Sequence, residues 1–122
     1  MIIYSHQISH EWERRNVLRH VQAGRMKREE VCDADFLLIT AAKFHGAPAG
    51  RPCPICEGEL RTVKWIYGEQ LGRRSGTARS DDEILAIIQE SGPVTVHNVE
   101  VCPSCSWNHL LTEAQADIKA TA

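Results

Sequence analysis

The sequence predicts an α+β fold in which an N-terminal helical segment packs on a zinc ribbon. Three observations support this prediction. Two Cys-x-x-Cys pairs stand far apart in the chain, segments with alternating apolar residues adjoin them, and the first 50 residues show helical periodicity. We therefore expect a helical segment at 1–50. Residues 51–122 should form a three-stranded antiparallel ribbon with a helix inserted at about 81–91.

The two pairs, Cys-Pro-Ile-Cys and Cys-Pro-Ser-Cys, predict the ligand set of one Zn²⁺. In each pair a proline follows the first cysteine and fixes φ at about −65°, which favours the tight turn of a zinc knuckle. Four thiolates close a tetrahedral coordination sphere, so the zinc is expected to be structural and to contribute to folding rather than to catalysis. The predicted ligands are Cys53, Cys56, Cys102 and Cys105.

Three alternatives compete with zinc. Disulfides are disfavoured because Met1 is not followed by an apolar leader, which predicts a protein of the reducing cytoplasm. A thioredoxin-like dithiol needs one Cys-x-x-Cys at a helix start, whereas both pairs here precede strand-like segments. An iron–sulfur cluster remains open, since four thiolates suit it too. The fifth cysteine, Cys32, is interpreted as a small buried apolar residue.

Three helices are expected in the first segment, at His10–Ala23, about Lys27–Cys32 and Asp35–Gly46. The third is almost continuously apolar. If it read DNA as part of a helix-turn-helix, it would need a polar face, and Thr40, Lys43 and His45 supply too little of one. We interpret it as a buried helix that covers one side of the ribbon.

The ribbon is expected to follow a linker at Ala47–Pro52. Alternating apolar residues predict strands at Glu59–Tyr67, at Val94–Val101 and from Trp107 onward. In the second strand the apolar positions change phase, so either a bulge lies near His97 or both faces are covered.

Between the first two strands, the Gly/Arg loop Glu69–Arg79 precedes the inserted helix. Ser80 and Glu83 form the capping box that predicts the start of that helix. The tail Ala114–Ala122 is small and polar, and is expected to fray.

Several short motifs occur together in a fixed order: Val31–Ala34, Ala41–Gly46, the two cysteine pairs, Tyr67–Gly68 and Val101–Leu111. With this combination the chain, over about Trp12 to Leu111, resembles a family of small actinobacterial proteins labelled as a domain of unknown function. The resemblance implies zinc binding at both pairs and a cytosolic bacterial setting, and it implies no established activity. Where the family usually has glycine after the second pair, this chain has Ser106, so a positive φ there would carry strain.

Charge indicates where an anionic partner would bind. The net charge of −2 argues against a protein that coats nucleic acid through bulk electrostatics. Residues 51–80 nevertheless hold six basic against three acidic residues, whereas residues 81–122 hold one against seven. The basic loop and nearby aromatic residues therefore form the predicted nucleic-acid or partner-binding set: Arg61, Lys64, Trp65, Arg73, Arg74, Arg79 and Trp107.

The leading functional hypothesis is a non-enzymatic accessory or adaptor protein. It would dock on a nucleoprotein or a polymerase- or ribosome-type complex through the basic loop and the helical segment. The alternative is a regulator that binds nucleic acid directly. No small-molecule substrate is predicted, and the sequence has no run of about 18 apolar residues that would span a membrane.

A nuclease is the less favoured alternative. It would rest on His97, Asn98, Asn108 and His109, which are the residue types of a His-Asn-His nuclease. The second cysteine pair stands between the two histidines and leaves no room for the required strand-strand-helix unit. We therefore predict that the protein has no catalytic residues.

Overall fold

The computed structural model describes residues 1–118 as a six-stranded antiparallel sheet flanked by helices. The strands are β1 Ile2–Ser9, β2 Ala47–Pro52, β3 Glu59–Tyr67, β4 Thr77–Arg79, β5 Val94–Val101 and β6 Asn108–Ile118. The α-helices are α1 Glu11–Gln22, α2 Arg28–Val31, α3 Phe36–His45 and α4 Asp81–Ser91, and a 3-10 helix spans Glu69–Arg74.

The α+β class and the ribbon at its centre are confirmed. The strand order is β1-β6-β5-β3-β2, and β4 also pairs with β3. The predicted three strands are therefore β3, β5 and β6, and the structure adds three more. The predicted linker is strand β2, whose Pro48 and Pro52 pair with β3 at the edge of the sheet, where a missing N–H is tolerated.

The first strand, β1, was not predicted. Its pairing with β6 places residues 114–118 inside the sheet. β1 pairs with β6 from Ile2 opposite Ile118 to Ser9 opposite Thr112. Because β6 lies between β1 and β5, and Ala114 and Ala116 are buried, the expected fraying is wrong for residues 114–118. Residues 119–122 lie outside the described part of the chain. The boundary at residue 50 stays a prediction, although β1 and β2 join the sheet.

Local capping explains where two of the helices begin. Asp35 accepts a hydrogen bond from the backbone N of Leu38 at 2.8 Å at the start of α3. At the start of α4, the Ser80 hydroxyl and the Glu83 carboxylate each accept from the other residue's backbone N–H, as predicted. All four α-helices lie within two residues of their predicted bounds.

Both faces of the sheet are covered, which explains the phase change in β5. Val94 and Val96 pack against α4, in a cluster with Ile84, Ile87 and Ile88. Val99 and Val101 belong to the opposite cluster, which Ala41 and Ala42 of α3 cover. The pairing of β5 with β6 is also irregular near the predicted bulge, because its register shifts between Asn98 and Val99.

A third cluster joins α1 to the cysteine pairs. Leu60 and Trp107 are fully buried there, with Val17, Leu18 and Val21 of α1 packed against them. Beside this cluster the Glu100 carboxylate has no solvent exposure and accepts hydrogen bonds from Arg14 of α1 and from Arg51. The cysteine pairs therefore lie between α1 and the end of the sheet.

Candidate metal centre

Two tight turns at one end of the sheet bring four cysteines together. The first turn joins β2 to β3 and the second joins β5 to β6. The four sulfurs, from Cys53, Cys56, Cys102 and Cys105, all lie within 4.8 Å of one another. The Cys56 and Cys102 sulfurs are 3.5 Å apart and the Cys53 and Cys105 sulfurs 3.6 Å apart.

These distances fit a single ion. With metal–sulfur bonds of about 2.3 Å, the sulfurs of a tetrahedral zinc site are about 3.8 Å apart. A disulfide, by contrast, has a sulfur separation of about 2.05 Å, and all five cysteines of the chain are free thiols. The predicted ligand set is thus close enough to hold a metal ion.

The two turns have the same backbone hydrogen bonds. Cys53 N donates to Gly58 O at 2.9 Å, and Glu57 N donates to Cys53 O at 3.0 Å. In the second turn Cys102 N donates to Trp107 O at 2.8 Å, and Ser106 N donates to Cys102 O at 2.9 Å. Each turn is therefore held by two backbone hydrogen bonds of its own, independently of a metal ion.

The residue after each pair adopts a left-handed backbone. Glu57 has φ 64° and Ser106 has φ 71°. For a residue with a side chain this conformation costs about 1 kcal/mol relative to glycine. The positive φ that the sequence suggested at Ser106 is therefore present, and Glu57 carries the same strain, which the sequence analysis did not foresee.

The environment of the sulfurs shifts the pKa of three of the four clustered thiols. Burial raises the pKa of the Cys53 and Cys105 thiols, because a thiolate in an apolar cluster is poorly solvated. The pKa of Cys56 is lowered, chiefly by a hydrogen bond from Gly58 N to its sulfur at 3.4 Å. A metal ion held by the four sulfurs would supply the positive charge that buried thiolates need.

Cys32 lies beside the four-cysteine cluster, where sequence reasoning did not place it. Its sulfur is 3.8 Å from that of Cys105, and it is half-buried rather than fully buried. The segment is held against the second turn by the Ala34 N to Ser106 O hydrogen bond and by Asn108, which donates to Asp33. Nothing in the spacing of Cys32 signals this proximity, which depends on how α2 packs.

The predicted partner-binding arginines do not form one patch. Arg61 donates to the carbonyls of Ala42 and Gly46 at the end of α3. Arg74 bonds to Ser91 and Glu90, and Arg79 bonds to Glu83. Within residues 1–118, Arg73 is the member of this set that is exposed and has no ion pair.

The other three members of the predicted partner-binding set, Lys64, Trp65 and Trp107, do not share one surface either. Lys64 lies on the opposite sheet face from Arg61 and Trp65 and bonds to Asp81 at 2.6 Å. Trp65 is half-buried beneath α3. Trp107 has no exposed surface: it fills the cluster between α1 and the cysteine turns and offers no face to a nucleic acid or a partner.

The residues of the nuclease alternative do not converge either. His97 contacts Glu113 at 3.1 Å, and the other oxygen of that carboxylate is 2.8 Å from His10. His109 stacks on Trp107 with ring centroids 6.0 Å apart, and burial lowers its pKa. Neighbouring residues His97 and Asn98 point to opposite faces of the sheet.

A surface on α3 was missed by the sequence analysis. The helix was expected to be buried, yet Phe36, Leu37 and Phe44 are 79%, 72% and 79% exposed. Two grooves of about 570 and 580 Å³ adjoin the helix, and both are lined by Leu37 and Trp65. The uninterrupted apolar run reflects two apolar sides, one packed on the sheet and one facing solvent.

The fold and the cysteine cluster define a small α+β protein with a zinc-ribbon-type candidate metal site. The chain belongs to the family of unknown function DUF5318, whose model matches residues 1–120. It is 48% identical over 99 residues to uncharacterised proteins of Mycobacterium bovis and of two strains of Mycobacterium tuberculosis, CDC 1551 and H37Rv. Each alignment covers 80% of this chain and 72% of the relative.

No solved structure matches the chain. Among the helices that the structure describes, none is both long and apolar enough to cross a membrane.

Proposed function

We propose that the four clustered cysteines bind one Zn²⁺ and that this ion is structural. Support comes from the sulfur separations, which suit one tetrahedral ion, and from a donor set that leaves no position for water or substrate. The ion would connect the β2-β3 turn to the β5-β6 turn and so hold the end of the sheet against α1. When bound, it supplies folding free energy rather than chemistry.

We further propose that the protein is a non-enzymatic cytoplasmic adaptor that docks on a larger nucleoprotein or polymerase- or ribosome-type complex. The observation that carries this proposal is the exposed apolar side of α3. Three large apolar side chains on ten residues of helix form the kind of patch that marks a protein interface. We name it the α3 surface: Phe36, Leu37 and Phe44, with the grooves above Trp65.

The surroundings of the α3 surface indicate the chemistry of its partner. Asp33 and Asp35 line the groove at the start of the helix. In the described part of the chain neither carboxylate has an ion pair; Asp33 accepts from Asn108 and Asp35 caps the helix. A partner segment with apolar side chains and a neighbouring lysine or arginine would complement this arrangement.

Affinity capture with surface variants tests the docking proposal. Tagged protein would be incubated with lysate from the cells that produce it, with and without nuclease, alongside Leu37→Asp and Phe44→Asp. Ile8→Asp is the matched control, because Ile8 is 56% exposed on β1, at the other edge of the sheet. We expect a defined partner set with native protein and Ile8→Asp that both α3 variants lose.

Two results would count against the proposal. Identical partner sets from all four proteins would exclude the α3 surface as the docking site. Loss of every partner on nuclease treatment would show that nucleic acid, and not the α3 surface, connects the protein to its partners.

A further inference from the structure

An exposed aromatic and basic stripe runs along α1, well apart in sequence from the Gly/Arg loop. Trp12 is 67% exposed, and Arg15 and Arg19 are exposed as well. Residues three and seven positions apart lie on the same side of an α-helix. At about 1.5 Å per residue, the three side chains leave the helix over a length of about 10 Å. We call these three residues the α1 stripe.

The two acidic residues of α1 form their ion pairs with residues outside the stripe, although the charge of Arg15 also acts on Glu11 at longer range. Glu11 binds Arg51 at 2.9 Å, and Glu13 binds His10. Among residues 1–118, no ion pair includes Arg15 or Arg19. Two guanidinium groups are therefore free to meet an anion.

Packing accounts for the other side of α1 but not for the stripe. Val17, Leu18 and Val21 pack in the cluster beside the cysteines, and Arg14 pairs with buried Glu100. Because Trp12 is mostly exposed, it is not a core residue. A large aromatic ring left in solvent next to two unpaired arginines is a combination that stability does not require.

We propose that the α1 stripe binds single-stranded nucleic acid. An exposed indole can stack on an unpaired base, whereas a duplex keeps its base faces covered. Arg15 and Arg19, about 6 Å apart along the helix, can meet phosphates of the same strand. Arg25 and Lys27, in the segment that follows α1, are exposed as well. This proposal does not depend on the α3 surface or on its partner.

Fluorescence anisotropy with a labelled oligouridylate of about 15 nucleotides tests this site. Native protein should bind at about 50 mM salt, with an affinity that falls as salt rises. The slope of log affinity against log salt is negative, and each lost phosphate contact makes it shallower by about 0.7, so Arg15→Gln/Arg19→Gln should make it shallower by about 1.4. Trp12→Ala should weaken binding about 5- to 150-fold and leave the slope unchanged.

Matched controls separate the α1 stripe from the loop and from misfolding. Arg73→Gln/Arg74→Gln removes the same number of charges from the Gly/Arg loop and should keep the native slope. Circular dichroism of each variant should match that of native protein, since Arg74 is partly exposed and the other replaced side chains are exposed. A duplex of equal length should bind more weakly than the single strand.

Three outcomes would overturn the inference. One is the absence of binding at about 50 mM salt. Another is a salt slope that changes with the loop variant but not with the α1 variant. The third is binding of polyglutamate that depends on Arg15 and Arg19 but not on Trp12, because that would identify an acidic protein as the partner of the stripe.

Discussion

Cys56 Sγ lies 3.5 Å from Cys102 Sγ, although 46 positions separate the two residues in the chain. One cysteine follows β2 and the other follows β5, so the contact closes the end of the sheet. A protein of 122 residues has a modest apolar core, and a metal ion at this point would add folding free energy by joining the two turns.

The strain after the second cysteine pair can be tested by substitution. Ser106→Gly should raise the free energy of unfolding by about 1 kcal/mol, because glycine adopts φ 71° without a Cβ conflict. Urea unfolding at constant metal concentration measures the change. Ser104→Gly is the control, since Ser104 has no positive φ, and it should not stabilise the protein. A Ser106→Gly variant no more stable than native protein would contradict this account.

Removing only one partner of the buried Arg14–Glu100 ion pair should destabilise the fold more than removing both. Arg14→Met removes one partner and leaves a carboxylate with no solvent exposure, with Arg51 as its remaining cation. We expect a loss of about 3 kcal/mol in the free energy of unfolding.

The double variant Arg14→Met/Glu100→Met removes both charges and should recover much of that loss. A double variant as unstable as the sum of the two single variants would show that the residues act independently.

The contact of His10 with Glu113 should make stability depend on pH. Hydrogen bonds to Glu113 and then to Glu13 raise the pKa of His10 above 6.5. A group whose pKa is raised on folding stabilises the fold below its unfolded pKa and loses that effect as pH rises through its folded pKa. The advantage of native protein over His10→Asn should therefore be largest below about pH 6.5 and smaller in alkaline solution. Urea unfolding across this range is the measurement, and an advantage that grows with pH would be inconsistent with the raised pKa.

Cys32 should be dispensable for metal binding despite its proximity to Cys105. Four cysteines already close the tetrahedral set, so Cys32→Ser should keep one metal ion per chain. Cys105→Ser, the matched substitution 3.8 Å away, should lose it. Elemental analysis after dialysis distinguishes the two, and loss of metal from Cys32→Ser would mean that the ligand set has been assigned wrongly.

Local patterns predicted the centre of this fold well. The bounds of β3 and β5 follow from apolar alternation, and the four-cysteine cluster follows from the paired spacing. The edge strands were missed for a physical reason. β1 has seven exposed residues out of eight, so its pairing with β6 leaves little hydrophobic signal in the sequence.

The predicted partner-binding set shows a different limit. Arg61 and Lys64 are three positions apart in the sequence, but side chains in a strand alternate between faces, so the two lie on opposite faces of the sheet. Arg61 donates to Ala42 O, and Lys64 donates to Asp81. The exposure of Phe44 and Trp12 depends on which side of a helix the core covers. Composition alone cannot supply that information, because an apolar residue is counted the same way on either side.

Metal content tests the central proposal most directly. Protein purified without added metal would be measured by elemental analysis and native mass spectrometry, together with Cys53→Ser and Cys102→Ser. We predict one zinc per chain in native protein, none in either variant, and unfolding of the cysteine end of the sheet on chelation. Less than about half an equivalent of zinc, with iron and a brown chromophore in its place, would contradict the account.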